Sequence, residues 1–264
     1  MKKLFGALLL AGSLTACGTA ELDENGNAPP ETLQTQENEV IVGTVNWSSV
    51  TSLSSTSTAR TRSRAVGYLS IPAVGSRCTA WLVSNDVAIT NNHCIGSSSE
   101  AVGAKIAFNY EDGVASTSRI YYDCSTFIKT WTYEDMTALR CKPLNGVYPG
   151  QTYGYLTVAS TNAATGAGVY VIHQNCDYYT TSGCSPTKKY SPGAVQNASY
   201  NTKELSYDAD TLGGSSGSPV LSSTGHTVVG LHHVGVGGDS MGRGTVNLGV
   251  KASLVRARLA EIGL

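Results

Sequence analysis

The sequence predicts an all-β protein that ends in one short helix, on three observations. Short runs rich in β-branched and aromatic residues recur along the chain, separated by Gly, Asn and Ser, the texture of strands joined by turns. No sustained helical apolar period precedes the last stretch. The 264 residues also suit one such unit behind a leader better than several domains.

Met1-Lys2-Lys3 caps the apolar run from Leu4 to Leu14, which is too short to span a bilayer and reads as a signal peptide over residues 1–16. Leu14-Thr15-Ala16-Cys17 matches a bacterial lipobox, making Cys17 the expected lipidation site; the alternative is an ordinary secretory signal with an incidental Cys. On either reading the chain is exported, anchored at the cell envelope or released. Residues 17–39 form an acidic linker or propeptide: Glu21, Asp23, Glu24, Glu31, Glu37 and Glu39 stand without one Lys or Arg, beside Pro29 and Pro30. Such a stretch cannot bury enough surface to offset its ordering entropy. Setting those six acids and Lys2 and Lys3 apart from the chain's 19 acids and 18 bases leaves residues 40–264 with a formal charge of +3. That balance argues against a nucleic-acid or membrane-surface binder, so membrane contact is expected only through Cys17.

Within residues 40–264 the candidate strands are 65–71, 79–83, 87–90, 105–108, 136–140, 168–172, 218–221, 227–231 and 244–247. From 248 to 262, Val250, Leu254, Val255, Leu259 and Ile262 keep helical spacing with Lys251, Arg256 and Arg258 on other faces, an amphipathic helix expected to serve packing. The Gly-rich run 235–244 reads as a loop beside the cleft and not a phosphate cradle, since no strand-then-helix context surrounds it.

The chemistry centres on Gly213-Gly214-Ser215-Ser216-Gly217-Ser218-Pro219, a glycine-walled turn between apolar runs. Ser216 is the candidate nucleophile, and the amides of Gly214 and Ser216 are placed to hold an oxyanion. A Ser hydroxyl needs an imidazole to take its proton and a carboxylate to fix that ring. His93 closes the run Val87-Ala88-Ile89-Thr90-Asn91-Asn92-His93-Cys94, and Asp135 opens the run ending at Leu139. The order His93, Asp135, Ser216 differs from that of an α/β-hydrolase, whose Ser would come first.

These residues resemble a chymotrypsin-fold serine peptidase, and the chain is most similar to the bacterial glutamyl endopeptidase branch. The matching pieces are Thr90 to Cys94, Asp135 to Leu139, Tyr207 to Gly213 running into the serine turn, and Val228-Val229-Gly230-Leu231-His232. The resemblance implies two six-stranded antiparallel β-barrels with a Ser-His-Asp triad in the cleft between them. It also implies cleavage of protein or peptide substrates after Glu or Asp, with Thr211 and His232 lining the specificity pocket. Asp210 holds the place where a trypsin-like enzyme keeps the acid that attracts Arg or Lys, so cleavage after those residues is the alternative. A binding protein on the same scaffold that has lost catalysis is a third reading.

Apart from Cys17, the six cysteines Cys78, Cys94, Cys124, Cys141, Cys176 and Cys184 form an even set in an exported chain. Sequence neighbours favour Cys78 with Cys94, as in the chymotrypsin-like family, then Cys124 with Cys141 and Cys176 with Cys184. No C-x-x-C pair or H-E-x-x-H is present, so neither a metal nor a cofactor is expected. His173 and His226 read as structural. Ser215 stands where the digestive enzymes keep an Asp that pairs with a freed N-terminus, so that ion pair has no acid here. A monomer is expected, matured by a cut after Glu39 at an exposed joint that frees Val40 and separates the catalytic domain from Cys17.

Overall fold

The computed structural model describes residues 39–176 and 184–264. The expected signal peptide, the lipobox with Cys17 and the acidic stretch before Glu39 lie outside them. The chain opens with β1 (Ile41–Val42), β2 (Ser48–Ser49) and a short α1 (Thr58–Ser63) whose N-cap Ser57 accepts from the amide of Arg60. The first sheet comprises β3 (Val66–Ile71), β4 (Ser76–Leu82), β5 (Val87–Thr90), β6 (Lys105–Ala107), β7 (Tyr121–Asp123), β8 (Thr126–Trp131) and β9 (Met136–Arg140). Its spatial order is β7-β6-β3-β4-β5-β9-β8, and among the described residues no ladder joins the two ends. Those ends are nonetheless successive pieces of one chain run broken at Cys124 and Ser125. The sheet therefore curls into a half-barrel whose ends are joined by the covalent chain and not by a strand ladder.

A connecting segment with α2 (Pro149–Tyr153) leads to β10 (Gly168–His173), β11 (Lys189–Asn197), β12 (Glu204–Tyr207), β13 (Pro219–Ser222), β14 (Val228–Val236), β15 (Arg243–Gly244) and β16 (Val246–Lys251), of which the short β15 pairs in parallel with β1 and the others form the second sheet. Here β10 pairs with both β13 and β11, so six strands close a true barrel, with β2 added at the edge of β11. The expected architecture of two β-barrels and a C-terminal helix is present. The helix, α3 (Ala252–Ala260), begins later than its spacing suggests. Leu248 and Val250 pair with β12 on one side and β14 on the other, and those two ladders override the local helical pattern.

Strands β4 and β5 are buried on nearly every residue, and Trp81, Leu69, Ile89 and Ile106 lie in the core with no exposed surface. Each such side chain contributes about 1.5–3 kcal/mol relative to exposure. That packing fixes the ends of β4 and β5, from which the candidate site is built. The disulfides are Cys78–Cys94, Cys124–Cys141 and Cys176–Cys184, bridges suited to an oxidising compartment.

Candidate active site

The turn holding Ser216 is shaped by what surrounds it. At Gly214 (φ +105°) an added Cβ would lie 2.8 Å from the carbonyl oxygen of Gln174, and at Gly217 (φ +85°) it would run into the carbonyl oxygen of Thr79. Only glycine accepts both the positive φ and that proximity. The amide of Ser215 donates to Leu212 O, that of Ser218 to Ser215 O, and that of Thr79 on β4 to Ser216 O. Ser215 is itself buried, with its hydroxyl 2.8 Å from His173 Nδ1. A hydroxyl–imidazole pair thus occupies the place where the digestive pattern would have an ion pair, and His173 braces the Ser216 turn.

His93 stands just beyond β5, tied to the turn's other side by Cys94 and its bridge to Cys78 on β4. Asp135 sits in the tight β8–β9 connection with φ +46°, its carbonyl oxygen accepting from Asn91 Nδ2 at 2.8 Å. His93 Nε2 is 2.8 Å from Ser216 Oγ, and His93 Nδ1 is 2.7 Å from Asp135 Oδ2. The main-chain amide of His93 donates to Asp135 Oδ1 at 2.9 Å. Burial alone would push the Asp135 carboxyl up, but contacts from His233 and His93 outweigh it and hold it well below the usual range.

A fourth side chain enters the site. Glu39 is buried, and its Oε1 accepts from the Ser216 amide at 2.7 Å and from Ser216 Oγ at 2.5 Å. Burial pushes its carboxyl above the usual value, against the pull of those bonds and of His93. The Ser216 hydroxyl has one proton, and when it is given to Glu39 it is not given to His93. Val40 comes next, anchored where its amide donates to Asn247 Oδ1 (3.1 Å) and its carbonyl accepts from Asn247 Nδ2 (2.7 Å) and the Thr211 amide (3.0 Å). The sequence suggested an exposed joint here, yet Glu39, Val40 and Ile41 are all buried, because Thr211 and Asn247 satisfy the segment's main chain inside the protein.

The residues expected to line a specificity pocket separate into two groups. Thr211 donates its hydroxyl to Asn247 Oδ1 at 2.8 Å, beside Val40. His232 is fully buried on β14, its Nδ1 bonded to the Tyr207 hydroxyl, and its Nε2 has no hydrogen-bond partner among the described residues. Burial and the neighbouring histidines push its pKa well down, so the ring is neutral at pH 7. Asp210 is turned elsewhere: Oδ1 accepts from the Val42 amide (2.8 Å) and Oδ2 from the Asn46 amide (2.7 Å). Its carboxylate fastens the N-terminal segment. The structure thus brings His93, Asp135 and Ser216 together, sets Thr211 against Val40 and His232 against Tyr207, and engages Asp210 with the chain itself. Tyr207, Asn247 and the Glu39 side chain carry no local signal of a place in the site. The pairing of Tyr207 with His232 and of Asn247 with Val40 is set by strand register, which no local spacing reports.

The Trypsin-like peptidase domain model matches residues 78–231, which include His93, Asp135 and Ser216. Among curated proteins, the chain is 33% identical over 188 residues to "Secreted RxLR effector protein 73" of Plasmopara viticola, covering 60% of this chain and 41% of that protein. It is 28% identical over 245 residues to "Extracellular metalloprotease" of Bacillus subtilis (strain 168), covering 86% of this chain and 70% of that one. Among solved structures, a Glu endopeptidase in complex with MPD superposes with a TM-score of 0.64 at 21% identity, covering 84% of this chain and 98% of that one. The Rv3671c protease, in an inactive form, gives 0.52 at 18% identity, covering 76% and 90%. The chain spans less than half the length of the first of these curated relatives, and with the closed barrel and the grouping at Ser216 already described, the family match leads to one assignment: the chain belongs to the trypsin-like peptidase family.

Proposed function

We propose that the enzyme cuts peptide bonds after Glu through Ser216, His93 and Asp135, and that its own Glu39 keeps it latent until the chain is cut between Glu39 and Val40. The observation that carries this reading is the Glu39 carboxylate on the Ser216 amide and hydroxyl, with Val40 anchored at Thr211 and Asn247. The 2.5 Å bond also takes the proton that catalysis needs.

With Glu39 gone, Ser216 Oγ attacks the substrate carbonyl while His93 Nε2 takes the hydroxyl proton, and Asp135 steadies the imidazolium. The Ser216 amide, which holds Glu39 in the latent form, is one donor for the oxyanion; Gly214 supplies the other. The tetrahedral intermediate collapses as the C–N bond breaks, His93 protonates the leaving amine, and water repeats the sequence on the acyl-enzyme. At the substrate side chain, His232 Nε2 has no hydrogen-bond partner among the described residues and is the group proposed to meet the carboxylate, while Nδ1 is engaged by the Tyr207 hydroxyl. Because the Glu39–Val40 bond is buried, a second molecule makes the cut when the segment swings out. The new Val40 amine then lies near Asn247, where its charge adds to the attraction for Glu. The same cut parts the catalytic domain from Cys17 and any lipid there.

The trypsin-like alternative requires a free Asp210 carboxylate, and both of its oxygens are occupied by main-chain amides of the N-terminal segment. Digesting a peptide library with protein that begins at Val40, and reading the residue before each cut, tests the proposal. Cuts after Glu are expected, abolished by Ser216→Ala and slowed at least ~10⁴-fold by Asp135→Asn, since triad residues act as a unit. Cuts after Arg or Lys that vanish in Asp210→Ser would overturn the specificity. Unchanged cutting in Ser216→Ala would overturn the mechanism.

A further inference from the structure

Beyond the triad, a second histidine contacts the catalytic carboxylate. His233 Nδ1 lies 3.3 Å from Asp135 Oδ2, the oxygen that also faces His93 Nδ1, while His233 Nε2 lies 2.8 Å from Glu204 Oε1. His233 and Glu204 expose 9% and 8% of their side chains, so this pair is largely buried behind the more open His93. We propose that His233, held by Glu204, is a positioning residue of this peptidase: its imidazolium fixes the Asp135 carboxylate that orients His93.

The placement comes from the strand. Register in the β14–β16 ladder slips between His232 and Val234, so His233 is the extra residue of a β-bulge, a device that re-aims a side chain. His232 consequently faces Tyr207 and the pocket, while His233 faces the triad. Glu204 is held in turn by Lys203 Nζ at 2.9 Å and by Asn201 Nδ2 at 2.5 Å.

Charge accounting favours the cation. Two carboxylates flank one ring, and a neutral imidazole has one N–H while the protonated ring has two. The charged and titratable groups around it are Asp135 from the β8–β9 connection, His93 beyond β5, Glu204 and Lys203 at β12, and His232 on its own strand. Burial pushes the His233 pKa down, but Asp135 and Glu204 outweigh burial and hold it above its ordinary value. The cation also draws on the same oxygen as His93, so it tempers the pull of Asp135 on that ring. Removing it should let the His93 pKa rise.

This inference rests on the triad reading, and wild-type labelling is the control that separates the two. The test uses an organophosphonate that reacts with Ser216, together with kcat and KM on a Glu peptide, for protein beginning at Val40. His233→Gln is expected to lower kcat about 10- to 100-fold with KM little changed, the scale of loss when a reacting group is slightly misplaced. It should also move the acidic limb of kcat/KM to higher pH and shift the low-field Nδ1–H signal of His93. Glu204→Gln should give smaller changes in the same directions and add nothing to His233→Gln. If His233→Gln does not fold, the kcat and pH profile of Glu204→Gln decide. An unmoved limb with unchanged kcat, or a loss wholly accounted for by unfolding, would overturn the proposal. Absence of Ser216 labelling in the wild type would instead overturn the triad.

Discussion

Ser216 has one proton and two acceptors within reach, His93 Nε2 at 2.8 Å and Glu39 Oε1 at 2.5 Å, and which of them receives it separates a working site from a blocked one. The local chemistry of that choice was legible in the sequence, since a glycine-walled serine, a His beside Cys94 and an acid opening a strand are each short motifs. The role of Glu39 was not, because it stands 177 residues from Ser216 and meets it only through folding. Glu204 was hidden for the same reason. Burial alone would push its carboxyl up, but His233 and Lys203 outweigh burial and bring it from 4.5 to about 2. The depressed folded value means that its stabilisation is present above pH 4.5 and lost as pH falls toward 2. Thermal unfolding followed from about pH 6 down to about 2 should therefore show a steep loss in the wild type and a shallower one in Glu204→Gln. Equal slopes would remove Glu204 from the charged line.

At the scale of elements, α3 does more than the packing its apolar stripe suggested. Arg258 Nη2 reaches Glu134 Oε1 at 2.5 Å, and Glu261 Oε2 accepts from Trp131 Nε1 at 2.8 Å and from Lys129 Nζ at 2.6 Å. A helix from the C-terminal end thus clamps β8 and the connection that presents Asp135 at its positive φ. Glu134 is 2% exposed, so truncating Arg258 leaves an acid with a buried carboxylate and no such partner. Arg258→Ala should lower the unfolding temperature and reduce kcat while leaving the residue preference of cleavage unchanged, because the pocket proposed at His232 lies on the other sheet. A change in preference without a change in kcat would contradict that division. The sequence announced α3 by spacing but placed its start too early, since only the ladders of β16 reveal that Leu248 and Val250 are strand. It passed over β8, β11 and β12: β11 carries Pro192 and Gly193, β12 only four residues, and their strand character is imposed by neighbours.

Over the whole molecule, each barrel supplies what the other lacks. The first sheet presents His93 and Asp135, the second the Ser216 turn and His232, and the N-terminal segment runs between Asp210, Asn247 and Ser216. Two barrels, a terminal helix and a triad in chain order could be expected from motifs in sequence. The packing of Glu39 into its own site is a property of the assembled chain. The most direct measurement is the rate at which an organophosphonate labels Ser216 in the uncut chain, verified by intact mass, with Glu39 and with Glu39→Ala. The account predicts slow labelling with Glu39 and labelling at least ~10-fold faster with Ala, as for a nucleophile released from a competing acceptor. Because the Glu39 carboxyl is held above its usual value, the proton-linked part of its hold is full below pH 4.5 and is lost as pH rises through that raised value. The rate with Glu39 should accordingly climb with pH more steeply than that of Glu39→Ala. Equal rates and equal pH profiles in the two proteins would contradict the claim that Glu39 keeps this peptidase latent.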